Sequence, residues 1–292
     1  MKSGKVVFLG ETNVGKSSLL NKMIGEQVSI VTDMLGTTRN EIRGFKTTDD
    51  YQIIFLDVPG MQKVRNQLDK LMTKSISYAV ANADVICYVL DATSLQDEHI
   101  KKLRNYDKPG KPVIAVLNKI DAIKYEQGYP ILEKLSGLGF LSAIVPISAK
   151  TGKNLEVLEA EIVKFLPEGV RVVDEDEFTD KSVRELAAEA IRGELIKNLD
   201  RDVPHGIAVE ITKWEETEDA IEIRADILCM KPSHKPIIIG NKGRVLKQVG
   251  IEARKKIQYM ADKHVRLYTH VVVREDWKNK TSKLEELGYV GD

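Results

Sequence analysis

Residues 6–20 read VVFLGETNVGKSSLL, an apolar strand that enters a glycine-bounded loop and then an amphipathic helix, and few folds accept that order. Gly10 and Gly15 let backbone N–H groups curl around an anion, Lys16 can reach the terminal phosphates of a nucleotide, and the Ser17 hydroxyl suits magnesium. Helix N–H groups that open at Gly15 and Lys16 add a dipole that favours negative charge there. Val14 and Ser18 belong to the same cradle. The stretch therefore reads as a phosphate-binding P-loop.

The next segment, residues 26–40, is polar and contains GTTRN. A threonine in such a loop can meet magnesium and the terminal phosphate only while that phosphate is present, which lets the loop sense nucleotide state. Thr38 is the first choice and Thr37 the second. Residues 41–46 and 51–57 read as a hairpin turning at Asp49 and Asp50, and the second strand runs into DVPG. Asp57 then stands at the carboxyl end of a central strand, placed to hold magnesium through water, with the Gly60 amide available to the terminal phosphate.

Strands and helices alternate from there: an amphipathic stretch near 68–81, a strand at 84–91, a helix near 95–106 and a strand at 113–117. Continuous apolar strands in alternation with helices argue for a mostly parallel sheet with helices on both faces, an α/β P-loop domain. The strand at 113–117 delivers Asn118, Lys119 and Asp121, written NKID. Asp121 can accept the ring N–H and exocyclic amine of guanine, a pairing adenine does not offer, and a carboxylate left unpaired discriminates strongly. After a further helix and the strand at 143–146 come Ser148, Ala149 and Lys150, where a backbone amide can meet the guanine carbonyl while Lys119 lines the base. Each of these elements sits at a strand's carboxyl end, where open α/β sheets bind ligands.

By these residues the chain resembles the translation-factor-related GTPases, and NVGKSSLLNK with GTTRN is similar to their Era and Der branch. The resemblance implies a potassium ion near Asn13. Thr12 departs from it, since the family usually has proline there. Met61 follows the DVPG glycine where small regulatory GTPases carry the glutamine that orients water, and Gln62 is one residue too far on. Lys16, Thr38 and Gly60 with magnesium are left to stabilise the transition state, so intrinsic turnover is expected to be slow and raised by a partner or a monovalent cation.

A helix at 154–165 is expected to end the first domain, assigned to residues 1–167, because Pro167 and Gly169 come next. Residues 168–181 contain DEDEFTD and read as a solvated linker, and residues 182–292 as a second domain with a tail. Within it, apolar residues at helical spacing (Leu186, Ala190, Leu195, Leu199) precede strands at 207–214 and 221–230. Gly240, Asn241, Lys242 and Gly243 then lie between two helical segments, with Ile239 before them and a strand at 265–273 after. Helix, strand, strand, helix, helix, strand with a GxxG loop matches an α+β type II KH domain. Such a loop lets a nucleic-acid backbone approach, with Lys242, Arg244 and Lys247 on phosphates and a neighbouring apolar groove on unstacked bases. Residues 231–256 hold eight basic residues against Glu252 alone, in a chain of net charge +0.

A P-loop GTPase followed by a KH domain resembles the Era family of ribosome-associated GTPases over nearly all of the 292 residues, the TSKLEELGYV tail included. It implies binding of GTP and GDP, a role in small-subunit assembly and contact with 16S ribosomal RNA near its 3′ end. Some members associate peripherally with the inner membrane; the sequence itself has no stretch long enough to span a bilayer. A cytoplasmic monomer is the expectation, consistent with only two cysteines, Cys87 and Cys229, and with an apolar run after Lys5 that ends at Gly10, too short for a signal segment. Two other readings compete with a GTP-gated assembly factor: a nucleotide-sensing RNA binder without a hydrolysis-driven cycle, and a membrane-linked signalling GTPase.

Overall fold

The computed structural model describes residues 1–31, 37–107, 110–200 and 202–289. Gly36 of GTTRN and Val290 of the tail lie outside them. The chain divides into two compact units, the first made of Met1–Ser29, Thr38–Lys63 and Met72–Asp180, the second of Ile30–Thr37, Val64–Leu71 and Lys181–Asp292.

The first unit is built on a six-stranded sheet in the order β2-β3-β1-β4-β5-β6. Its strands are β1 (Lys2–Leu9), β2 (Ile42–Thr47), β3 (Tyr51–Asp57), β4 (Val85–Asp91), β5 (Val113–Asn118) and β6 (Ala143–Pro146), all parallel except β2. Alternate residues of each strand feed opposite faces. Val6, Phe8, Phe55, Cys87 and Val116 join Leu19, Leu20 and Met23 of α1 (Lys16–Ile24) and Leu158 and Ile162 of α5 (Leu155–Phe165). Val7, Leu9, Leu56, Tyr88 and Leu117 join Ala79 of α2 (Gln67–Asn82), Leu103 of α3 (Asp97–Arg104) and Leu135 of α4 (Tyr125–Ser136). Helices on both faces leave the carboxyl ends of the strands open, and the loops there carry every motif of the first half.

The acidic stretch differs from the expected solvated linker. Residues 168–180 fold back on the first unit: Gly44 bridges to Thr179, the Phe45 amide donates to the Phe178 carbonyl at 3.0 Å, and Thr179 Oγ1 donates to the Arg43 carbonyl at 2.7 Å. Gln52, fully buried on β3, accepts the Val172 amide at 2.6 Å and donates to the Val173 carbonyl at 2.9 Å. The acidic side chains do face water, but their backbone is paired.

In the second unit α6 (Val183–Asn198) starts at a capping box, with Ser182 and Glu185 bonding each other's backbone amides. A three-stranded sheet comes next in the order β7-β8-β9: β7 (Ala208–Glu216) and β8 (Ala220–Cys229) antiparallel, β8 and β9 (His264–Val273) parallel. The parallel pair requires a crossover, supplied by α7 (His234–Ile239) and α8 (Arg244–Ala261) with the GxxG loop between them. Ile221, Ile223, Ala225 and Ile227 face Ala187, Ile191 and Leu195 of α6 and Val249, Ala253 and Ile257 of α8 in one core. Trp277 is fully buried and its indole donates to the Gly206 carbonyl at 3.0 Å, and α9 (Thr281–Glu286) comes after it.

Candidate nucleotide site and nucleic-acid loop

The P-loop is drawn tight around its own lysine. Lys16 is 6% exposed, and its amine donates to the Glu11 carbonyl at 2.7 Å and the Gly10 carbonyl at 3.2 Å. Burial lowers its pKa to about 8, against the opposing pull of the Asp57 and Glu11 charges. Gly15 takes φ +97°, and a Cβ there would come within 2.3 Å of Asn118 Nδ2, so the loop admits only glycine where NKID crosses it.

Three of the expected metal-holding groups converge. Ser17 Oγ donates to Asp57 Oδ2 at 2.7 Å and lies 3.0 Å from Thr38 Oγ1. Ser29, buried in the loop after α1, adds a hydroxyl to the same Asp57 oxygen at 3.0 Å. No motif signals Ser29, because a lone serine in a loop has no periodicity or spacing to betray it. Asp57 Oδ1 is buried with no hydrogen-bond partner among the described residues. Burial pushes the Asp57 carboxyl above its ordinary range, and the nearby Lys16 charge with the Ser17 and Ser29 hydroxyls only partly offsets it, so one carboxylate oxygen is still short of a cation or donor. That donor set fits a magnesium ion, which Ser17, Thr38 and Asp57 would hold. Thr37 differs from Thr38: its carbonyl accepts Arg192 Nη2 at 2.5 Å within the second unit.

The base-site residues form one linked set. Asn118 Nδ2 donates to the Val14 carbonyl at 2.8 Å, and its Oδ1 accepts the Lys119 and Ala149 amides at 2.8 and 2.9 Å. The Ala149 amide is thus engaged by Asn118. Lys119, at φ +66°, spans from the Asn13 carbonyl (2.7 Å) to Asp91 (2.6 Å), an acidic partner the motif did not name. Asp121 Oδ1 accepts Ser148 Oγ at 2.6 Å, so the loops after β5 and β6 are fastened to each other.

Met61 and Gln62, which come after Gly60, both make sulfur contacts. Tyr106 Oη lies 3.6 Å from the Met61 sulfur, and Gln62 Nε2 lies 3.8 Å from the Met72 sulfur. Gln62 therefore faces an apolar neighbour.

In the second unit the GxxG loop stands proud. Asn241, Lys242, Arg244 and Lys247 are exposed or half-buried, as is Ile239, and Ile237 is 49% exposed. Lys242 is left-handed at φ +52°, and a Cβ at Gly243 would meet nothing within 4 Å, so the loop's outer side is open to an approaching backbone. The basic stretch is not uniformly available. Lys256 is paired with buried Glu194 at 2.7 Å and Lys255 with Glu252 at 2.9 Å, which leaves the loop end as the cationic part.

The chain matches the model of the 50S ribosome-binding GTPase family over residues 5–119 and that of the KH domain over residues 202–278. It is 40% identical to the GTPase Era of Alkaliphilus metalliredigens over 99% of both chains. The chain belongs to the Era family of GTPases. The Era of Caldanaerobacter subterraneus is likewise 40% identical, over 100% of this chain and 99% of its own. Among solved structures, an Era in complex with MgGDPNP and nucleotides 1506–1542 of 16S ribosomal RNA superposes with TM-score 0.95 at 36% identity, covering 100% of both chains. An Aquifex aeolicus Era variant bound to GDP.AlF4- gives the same TM-score and identity. The type II KH topology and the P-loop GTPase sheet are thus those of the Era family, and GTP hydrolysis is its activity.

Proposed function

We infer that the protein is a GTP-gated assembly factor of the small ribosomal subunit that binds single-stranded 16S ribosomal RNA near its 3′ end and leaves after hydrolysis. What carries this reading is the open Gly240–Gly243 loop with Lys242, Arg244 and Lys247, in a chain like the Era crystallised with MgGDPNP and a 16S fragment. The glycines admit the RNA backbone, the basic side chains take phosphates, and the apolar surface around Ile239 takes unstacked bases.

At the nucleotide site, Asp121 selects guanine, Asn118 ties its loop to the P-loop, and Lys119 lines the base. Lys16 neutralises the terminal phosphates, the amides of the P-loop and of Gly60 hold the transferred group, and Thr38 reports its presence. Magnesium, when bound, spreads the phosphate charge further. With Met61 in place of a water-orienting side chain and Gln62 turned to Met72, intrinsic turnover is slow. A potassium ion beside Asn13, whose carbonyl already accepts a hydrogen bond from the Lys119 ammonium, would raise it. No helix among the described residues is long and apolar enough to cross a membrane, and we place the protein in the cytoplasm.

The test is affinity for a 3′-end 16S fragment at fixed salt, with GDP and with a non-hydrolysable GTP analogue. Tighter binding with the analogue is expected, and by linkage RNA must then tighten the analogue by the same factor. Equal affinities in the two states would end the gating model.

A further inference from the structure

Glu11 lies inside the P-loop, yet no role of the motif uses its side chain. The carboxylate reaches across to α3. Lys102 Nζ donates to Oε1 at 2.5 Å, and His99 Nε2 lies 3.3 Å from Oε2. The tautomer of His99 is set by its other nitrogen: Nδ1 accepts the Gln96 amide at 3.0 Å, so in the neutral ring the proton sits on Nε2, the side that faces Glu11. Glu98 pairs with Lys102 at 2.9 Å and steadies it from below. The side chains of Glu11 and His99 are 30% and 21% exposed and that of Lys102 is 39%, so the carboxylate and imidazole of this three-group clamp are partly shielded from solvent while the amine stays half-exposed.

The backbone of the same residue makes two contacts that matter to hydrolysis. Its carbonyl is the nearer of the two that aim the Lys16 amine, at 2.7 Å. Its main chain pairs with Met61, whose amide donates to the Gly10 carbonyl at 3.3 Å, so the P-loop is stitched to the residue after Gly60. The stitch is close: a Cβ at Gly60 would come within 2.5 Å of Thr12 Cγ2. Thr12 has no ring to fix φ, so this arm of the loop needs its stiffness from elsewhere.

We propose that Glu11 is a positioning residue of the GTPase reaction: gripped by Lys102 and His99, it holds the peptide that aims Lys16 and keeps Gly60 and Met61 against the P-loop. The clamp rests on the roles given to Lys16 and Gly60 above. It acts on hydrolysis more than on GDP binding, because P-loop amides and the base site hold GDP together with Lys16, whose amine keeps the Gly10 carbonyl as a second guide, whereas Gly60 faces only the terminal phosphate. Helix α3 thereby controls turnover without touching the nucleotide.

Single-turnover GTP hydrolysis and affinity for a fluorescent GDP test this in Glu11→Gln, Lys102→Met, the double variant and Lys102→Arg. Lys102 is half-exposed, so its variants keep the fold. Each of the first two should slow hydrolysis about five- to twentyfold with GDP affinity within about twofold, since small misplacements at a reacting centre are costly. The double should be no worse than the poorer single, and Lys102→Arg should recover most of the rate. Rates within about twofold of the parent, losses that multiply in the double, or equal losses of affinity and rate would each overturn the clamp. Lys16→Ala, run alongside, reports on the underlying reading: hydrolysis retained there removes Lys16 from the site, whereas normal rates in the clamp variants beside a Lys16→Ala loss remove the clamp alone.

Discussion

The burial of Lys16 makes nucleotide affinity depend on pH in a range where exposed lysines do not titrate. In the nucleotide-free protein its pKa is about 8, because desolvation outweighs the attraction of Asp57 and Glu11. Phosphates against the amine favour the charged form and lift the pKa well above that value when nucleotide binds. If only the charged amine binds well, the dissociation constant for GDP grows as one plus ten to the power of pH minus the free pKa. Between pH 7.0 and 8.5 that is a weakening of about fourfold, equal to about 0.8 kcal/mol, with uptake of about three-quarters of a proton per GDP bound at pH 8.5. The sign is fixed: a group whose pKa rises on binding makes binding weaker as pH climbs through the free value. Calorimetry in two buffers of different ionisation enthalpy reads the proton uptake directly, and EDTA keeps metal binding out of the measurement. Affinity flat across this range with no proton uptake would refute the argument, since it would mean that Lys16 is already solvated before the nucleotide arrives.

The base site, the GxxG loop and the returning acidic segment each give a further outcome. Asp121→Asn should trade guanine for xanthine nucleotides, because an acceptor becomes a donor towards the changed base edge; an unaltered preference for GTP in competition binding would displace Asp121 from the base site. Lys242→Ala and Arg244→Ala should each lower the salt dependence of single-stranded RNA binding by about 0.7 in logarithmic slope, and Gly243→Asp should abolish that binding while GDP affinity stays at the parent value, both read by fluorescence anisotropy. Gln52→Leu strands the Val172 amide and Val173 carbonyl, at a cost of about 2 to 3 kcal/mol, so the first unit should melt about 5 to 10 °C lower and residues 168–180 should become open to protease. An unchanged melting point would show that segment to be held by something other than Gln52.

The candidate nucleotide site was legible because phosphate and guanine recognition ask for fixed residue types and spacings within short stretches. Asp57 and Asn118 close the strands β3 and β5, and Gly15 and Lys16 open helix α1, all positions that hydrophobic periodicity locates. What escaped the sequence depends on partners far along the chain. Ser29 reaches Asp57 across 28 positions, and Glu11 reaches Lys102 across 91. Gln52 looks like a polar interruption in YQIIFLD, although it is a fully satisfied buried amide. The acidic run misled for a different reason: charge patterns report where side chains point, while strand pairing is made by the backbone. Lys256 shows the converse, since it counts as a basic residue in sequence but is already paired with Glu194, which it shares with Lys197.

The return of residues 168–180 to β2 also bears on solubility. β2 is the end strand of the six-stranded sheet, and an uncovered end strand is a template for pairing with other molecules. The Thr179 and Phe178 contacts occupy part of that template with the protein's own chain, and the carboxylates that flank them, from Asp174 to Asp180, repel any second copy approaching the same side. A GTPase fragment cut after 167 would bare this edge and self-associate, whereas one cut after 180 carries its own cover.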